Sequence, residues 1–106
     1  MTCKQCGLEK RKWPRLGRVV MSRSVDRVMS AEGGRASKFK NEVRRALRLY
    51  KRGNWGKSDS NDKKVNDNAV KTGQRIIAVY PTVEGDIWII TERGHYATTI
   101  LFPNEY

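Results

Sequence analysis

The sequence predicts an α+β domain: a small antiparallel β-meander, extended by one N-terminal strand and packed against two or three helices. Three observations predict it. Between Phe39 and Tyr50 apolar residues recur at spacings of three and four, the stripe of a helix with one buried face. From Arg75 the period changes, and three short apolar runs follow one another with only turn residues between them. The chain has 106 residues, 38% of them apolar, which suits one small core and, most simply, one layer of helices on one sheet. Residues 1–15 are expected to form a basic, CxxC-containing tail, and residues 16–106 the single domain.

Taken in order, "LGRVVMS" (16–22) centres on Val19 and Val20 and predicts the first strand. In "SVDRVMSAEGG", Ser24 is expected to cap a short helix with Val25, Val28 and Met29 on one face, stopped by Gly33 and Gly34. The clearest helix is "SKFKNEVRRALRLYKRGNWG", with Ser37 as expected N-cap and Gly53 as stop. Phe39, Val43, Ala46, Leu47 and Tyr50 make its stripe. A weaker helix is predicted from about Asn61 to Thr72, capped by Ser58 or Ser60 and closed by Gly73, with Val65, Ala69 and Val70 as a narrow apolar face. "RIIAVYP" is a continuous apolar run and predicts a central strand covered on both sides. "DIWIITE" (86–92) and "ATTILFP" (97–103) complete the meander through turns at Gly85 and at "RGHY".

Charge carries the functional signal. Twenty-two Lys and Arg against eleven Asp and Glu leave +11. Residues 1–57 hold 17 basic and 4 acidic side chains, a net +13, whereas residues 58–106 hold 5 and 7, a net −2. Such asymmetry points to a polyanionic partner met by the first half, nucleic acid foremost, although a merely solvated face would also be basic. A core-facing helix usually mixes both signs on its outer side. Here Lys38, Lys40, Arg44, Arg45, Arg48, Lys51 and Arg52 stand with Glu42 alone. Arg44, Arg45, Arg48, Lys51 and Arg52 are the expected phosphate contacts, and Lys10, Arg11, Lys12 and Arg15 a basic arm. Trp13, Tyr50 and Trp55 lie among these cations and would stack on an unpaired base if exposed. Trp55, in the turn "GNWG", is expected in the core instead.

"CKQCG" (3–7) is half of a zinc knuckle. Cys3 and Cys6 can grip one metal from a tight turn, but a closed zinc site wants four ligands, and the chain has two cysteines and one histidine. Either His95 supplies a third ligand, or a second chain supplies a second pair in a homodimer. Free thiols and a redox pair are the other readings of the same spacing. For catalysis the sequence offers Glu92 and His95 at a strand end as an acid and base. It has no second histidine, no carboxylate cluster at metal-binding spacing and no phosphate-cradling glycine loop, so an enzyme is not expected. No apolar run approaches the roughly eighteen residues of a membrane span, and no apolar segment of a secretory signal follows the basic N-terminus. A cytoplasmic setting with reduced or metal-bound cysteines is expected.

From Gly17 onward the chain resembles a family of small proteins encoded on plasmids, phages and integrative elements, usually labelled "plasmid-related". The resemblance rests on "GRVVMSRSV" (17–25), "GNWG" (53–56), "GQRI" (73–76), "DIWIITE" (86–92) and "TTILFPNEY" (98–106); the cysteine tail lies outside it. It implies a mobile-element setting in a bacterial host cell and brings no biochemistry of its own. The first expectation is therefore a non-enzymatic accessory protein that binds nucleic acid through its basic half. The alternative is a phage- or plasmid-encoded inhibitor of the anti-CRISPR or anti-restriction type, bound to an acidic or nucleic-acid-binding host protein. A small ribonuclease toxin using Glu92 and His95 is the third.

Overall fold

The computed structural model describes residues 14–106. Eight elements follow one another: β1 (Arg18–Met21), α1 (Arg23–Ser30), α2 (Gly34–Lys51), α3 (Ser60–Thr72), β2 (Ile76–Thr82), β3 (Gly85–Thr91), β4 (Ala97–Leu101) and a terminal 3₁₀ turn, Pro103–Glu105. The fold is α+β, with one four-stranded sheet in the order β1-β4-β3-β2. The meander β2-β3-β4 is antiparallel as expected. The sheet as a whole is mixed, because β1 runs parallel to β4. Three helices and the strands β2 and β3 intervene between the two in the chain, a long connection of the kind that parallel pairing requires and a hairpin cannot supply. Among the described residues no helix is long and apolar enough to cross a membrane.

Register assigns the core. Ala78, Ile89 and Ile100 lie side by side across three strands, as do Ile76, Thr91 and Thr98, and all six are buried. Against them α2 sets Ala36, Phe39, Val43, Ala46 and Tyr50, the predicted stripe extended by a turn. That extra turn corrects the expected cap: the N-cap is Gly33, not Ser37. Starting earlier buries Ala36 and lets the Arg35 guanidinium donate to Glu84 at 2.5 Å and to the Val83 carbonyl at 2.7 Å. α1 is capped by Ser22, not Ser24, with the Ser22 hydroxyl accepting from the Val25 N–H. α3 is capped by Asp59, not Ser58 or Ser60, its carboxylate accepting from Asp62 N–H at 2.8 Å. Its inner face is Asn66 with Ala69, while Val65, expected inside, is 55% exposed.

The strand read as central, β2, is an edge strand. Its apolar run arises because the outer edge is sealed by something other than a strand. The Asn66 amide donates to the Ile77 carbonyl at 2.8 Å and accepts from the Ile77 N–H at 3.4 Å, imitating a neighbouring strand. One residue pair further on, Lys57 N–H donates to the Val79 carbonyl at 2.8 Å. Gly56 makes that approach possible: its φ is +66°, and a Cβ there would overlap the Val79 carbonyl oxygen. At the opposite edge β1 is exposed along its length.

Two polar features lock the interior. The Leu16 carbonyl can only accept, so Thr98 Oγ1 donates to it (2.7 Å) and must itself accept from Thr91 (2.8 Å). Thr91 then accepts from the Tyr50 hydroxyl at 2.6 Å. This one-directional chain ties α2, β3, β4 and the segment before β1 together with every hydroxyl satisfied. At the other end Phe102 stacks on Phe39 at 5.9 Å, and the Glu105 carboxylate holds the terminal turn by accepting from Phe102 N–H (2.8 Å) and Ser22 Oγ (2.7 Å).

Candidate anion-binding face and its flanking cleft

The geometry of α2 sorts its side chains by function. With 3.6 residues per turn, burial of the stripe sends Lys38, Arg45, Arg48 and Arg52 along one outward line, with Arg44 and Lys51 beside it. Arg44, Arg45, Arg48, Lys51 and Arg52 are all exposed. From Lys38 to Arg52 the ridge runs about 21 Å at the helical rise of about 1.5 Å per residue.

Its charge is not neutralised locally. Among the described residues the ion pairs lie elsewhere: Arg35 with Glu84, Lys57 with Asp86 and Arg75 with Glu92. The carboxylate of Glu42, the acidic residue of α2, is engaged with the meander, where its Oε1 accepts from Val83 N–H at 2.7 Å. Glu42 thereby anchors the β2–β3 turn instead of shielding its basic neighbours.

Of the other expected site residues, Arg15 is exposed, whereas Lys10, Arg11, Lys12 and Trp13 lie outside the described residues. Trp55 is in the core, as its turn suggested, 2% exposed. It meets Tyr50 edge-on at 5.3 Å, and its indole N–H donates to Asp67 at 2.9 Å. Tyr50 is fully buried, and burial pushes its hydroxyl well above the usual tyrosine range. Neither ring is free to stack on a base, so among the described residues the ridge offers charge without aromatics.

Cys3 and Cys6 also lie outside the described residues. His95, one of the two sources considered for their further ligands, is buried at a left-handed backbone position (φ 58°), with Nε2 2.7 Å from the Gln74 carbonyl. A carbonyl only accepts, so Nε2 carries the proton and Nδ1 is the nitrogen left for any other role. Among the described residues there is no group of three metal-ligating side chains. Glu92, the other half of the acid–base pair, is exposed and turned to Arg75 at 3.7 Å.

Two hollows escaped sequence reasoning. The first, about 280 Å³, lies between α2 and β2 and is lined by Glu42, Arg45, Ala46, Leu49, Tyr80 and Pro81, with Gly56 and Lys57. It shares Arg45 with the ridge. The second, about 350 Å³, lies between α3 and the sheet, where Trp88, Tyr106 and Arg75 gather with Val65 and Asn66. There the Trp88 and Tyr106 rings lie 5.2 Å apart, and the Arg75 guanidinium sits 4.9 Å from the Tyr106 ring centre. Both hollows join residues far apart in the chain. The one local signal was Glu42, a single carboxylate in a helix otherwise full of cations.

Comparison of the chain with protein-family models, with curated proteins and with solved structures found no match in any of the three.

Proposed function

We propose that the protein is a non-enzymatic accessory factor of a mobile element that binds nucleic acid through the outer face of α2. The observation that carries the reading is the ridge of five cations, Arg44, Arg45, Arg48, Lys51 and Arg52, exposed and unpaired among the described residues on a helix whose other face is buried. A row of cations carried on a rigid helix contacts successive phosphates and releases condensed counterions as it does so. Among the described residues the ridge has no accessible aromatic, which favours backbone contact over base reading there. The mobile-element setting rests on the resemblance described above.

The test is a double charge reversal, Arg44→Glu with Arg48→Glu, measured by fluorescence anisotropy on labelled oligonucleotides across a salt series. Binding should weaken, and the log–log salt slope should flatten by roughly 1.4 on single strands or roughly 1.8 on duplex, the counterions of two lost phosphate contacts. An unchanged affinity and slope in the folded variant would refute the reading.

A second reading, an inhibitor that docks on a host defence nuclease, is favoured by a different observation. Trp88 and Tyr106 flank a hollow with the exposed Val65 at its edge, and aromatic side chains beside arginine are enriched where proteins meet. Capture of one stoichiometric host protein, persisting after nuclease treatment and lost in Tyr106→Ala, is its expected result.

A further inference from the structure

The cleft between α2 and β2 has features that a plain phosphate-binding ridge does not need. Its apolar surface comes from Ala46, Leu49 and Pro81, and Arg45 belongs to both cleft and ridge. At about 280 Å³ it falls just under the range of drug-sized pockets, about 300–1,000 Å³, and suits one planar ring system. Glu42 lines it with one oxygen already fixed on the Val83 N–H, which orients the carboxylate and leaves its second oxygen an acceptor. The nearby ammonium of Lys57 does not neutralise it, since Lys57 Nζ is bound to both Asp86 oxygens at 3.0 Å.

We propose that this cleft takes one unpaired nucleobase from a strand whose phosphates follow the ridge, so that the preferred nucleic acid is single-stranded and the preferred base carries an exocyclic amino group. The proposal rests on the nucleic-acid reading above and adds to it a strand state and a base chemistry. Arg45 supplies the link: a phosphate held at the rim by its guanidinium leaves the attached base to turn inward. A duplex keeps its bases paired and stacked and must be opened to fill such a cleft, whereas a single strand presents base faces freely. Inside, the apolar surface accepts any base face, so discrimination falls to Glu42. A carboxylate accepts from the N4 amino group of cytosine; uracil, the same size, presents a carbonyl oxygen at that position, which the carboxylate repels.

The experiment compares, at one salt concentration and neutral pH, the affinity of the full chain for labelled oligocytidylate, oligouridylate and a mixed RNA duplex of equal length. Oligocytidylate should bind about tenfold more tightly than duplex, reflecting one base's contact, and about tenfold more tightly than oligouridylate, reflecting one charge-assisted hydrogen bond. Glu42→Gln keeps an acceptor for Val83 and exchanges the second one for a donor, so it should bring the two single strands within about twofold while leaving the salt slope unchanged. The wild-type comparison needs no variant, so the proposal stays open to refutation even if Glu42→Gln loosens the β2–β3 turn. Measurable but equal affinity for all three nucleic acids would overturn the cleft assignment and leave the ridge intact. A cytosine preference that survives in Glu42→Gln would overturn the role of Glu42. Absence of binding to any of them, and to the same sequences made as DNA, would overturn the nucleic-acid reading and this proposal with it.

Discussion

The two faces of α2 are cut from the same eighteen residues and obey opposite rules. On the inner face each side chain is fixed by neighbours: Phe39 by Phe102, Tyr50 by Trp55 and Thr91, Val43 and Ala46 by the sheet. On the outer face Arg44, Arg45, Arg48, Lys51 and Arg52 are exposed and have no carboxylate partner among the described residues. Stability should therefore reside on one side and binding on the other. A surface selected for folding alone would have used acidic partners at spacings of three and four, each worth a few tenths of a kcal/mol; here Glu42 stands at those spacings from Lys38 and Arg45, yet it is bonded to Val83 and forms no ion pair with either among the described residues.

The largest effect is expected from Phe39→Ala. The ring is fully buried and stacked on Phe102, and truncation of a buried phenylalanine costs about 3–5 kcal/mol, much of the roughly 5–15 kcal/mol that stabilises a typical domain. Urea denaturation should show the midpoint collapsing. A loss below about 1 kcal/mol would mean that the inner face is not packed as described, and the division between the faces would fail at its root.

Tyr50→Phe tests the same face more finely. The substitution keeps the ring against Trp55 and removes only the hydroxyl that starts the chain through Thr91 and Thr98 to the Leu16 carbonyl. Thr91 still donates onward, so no donor is orphaned, and the expected loss is about 1 kcal/mol. Thr91→Val breaks the chain in its middle, leaving Thr98 without its donor and Tyr50 with only the Ile76 carbonyl at 3.5 Å as acceptor, and should cost more than Tyr50→Phe in the same assay.

How legible was this molecule in its sequence? The apolar stripe of α2, the meander and the basic ridge were, because each is a periodic or compositional signal carried by neighbouring residues. The edge position of β2 was not. Asn66 seals that edge with a side-chain amide, and an apolar strand sealed in this way reads like one flanked by strands. The helix starts were displaced for a related reason: Gly33 precedes α2 where Ser37 was expected because Ala36 and Arg35 find tertiary partners. Such contacts outweigh local capping preference, and they join residues about fifty positions apart. The cleft was invisible for the same reason, since α2, the Gly56 turn and β2 meet only in the folded chain.

A smaller effect is expected on acidification. The bond from Phe102 N–H, and after it that from the Ser22 hydroxyl, holds the Glu105 carboxyl below the ordinary glutamate value of 4.5. A carboxylate lowered on folding stabilises the native state above its unfolded pKa, and that contribution disappears as pH falls through the lower, folded one. Between pH 7 and 5 Glu105 should thus change nothing. Below about 4.5 the terminal turn, and with it the Phe102 lid on Phe39, should loosen. Glu105→Gln retains an acceptor for Phe102 without the titration. The gap between its urea midpoint and that of the wild type should accordingly narrow between pH 7 and pH 3.5. A constant gap would remove Glu105 from the account of the inner face.

The smallest effect is expected where the charge is greatest, and it separates the two faces most directly. Arg45→Ala with Arg48→Ala removes two exposed guanidiniums that no described carboxylate pairs with. Alanine is the better helix former, and the change relieves repulsion along the ridge, so stability should move by no more than about 0.5 kcal/mol, and upward if at all. Binding to a single-stranded oligonucleotide should meanwhile weaken, with the salt slope reduced by roughly 1.4. If the two alanines instead unfold the protein, the outer arginines are part of the scaffold, and their charge no longer points to a partner. Silence in the denaturation curve together with loss in the binding curve is the result that makes this face an interface and the other a foundation.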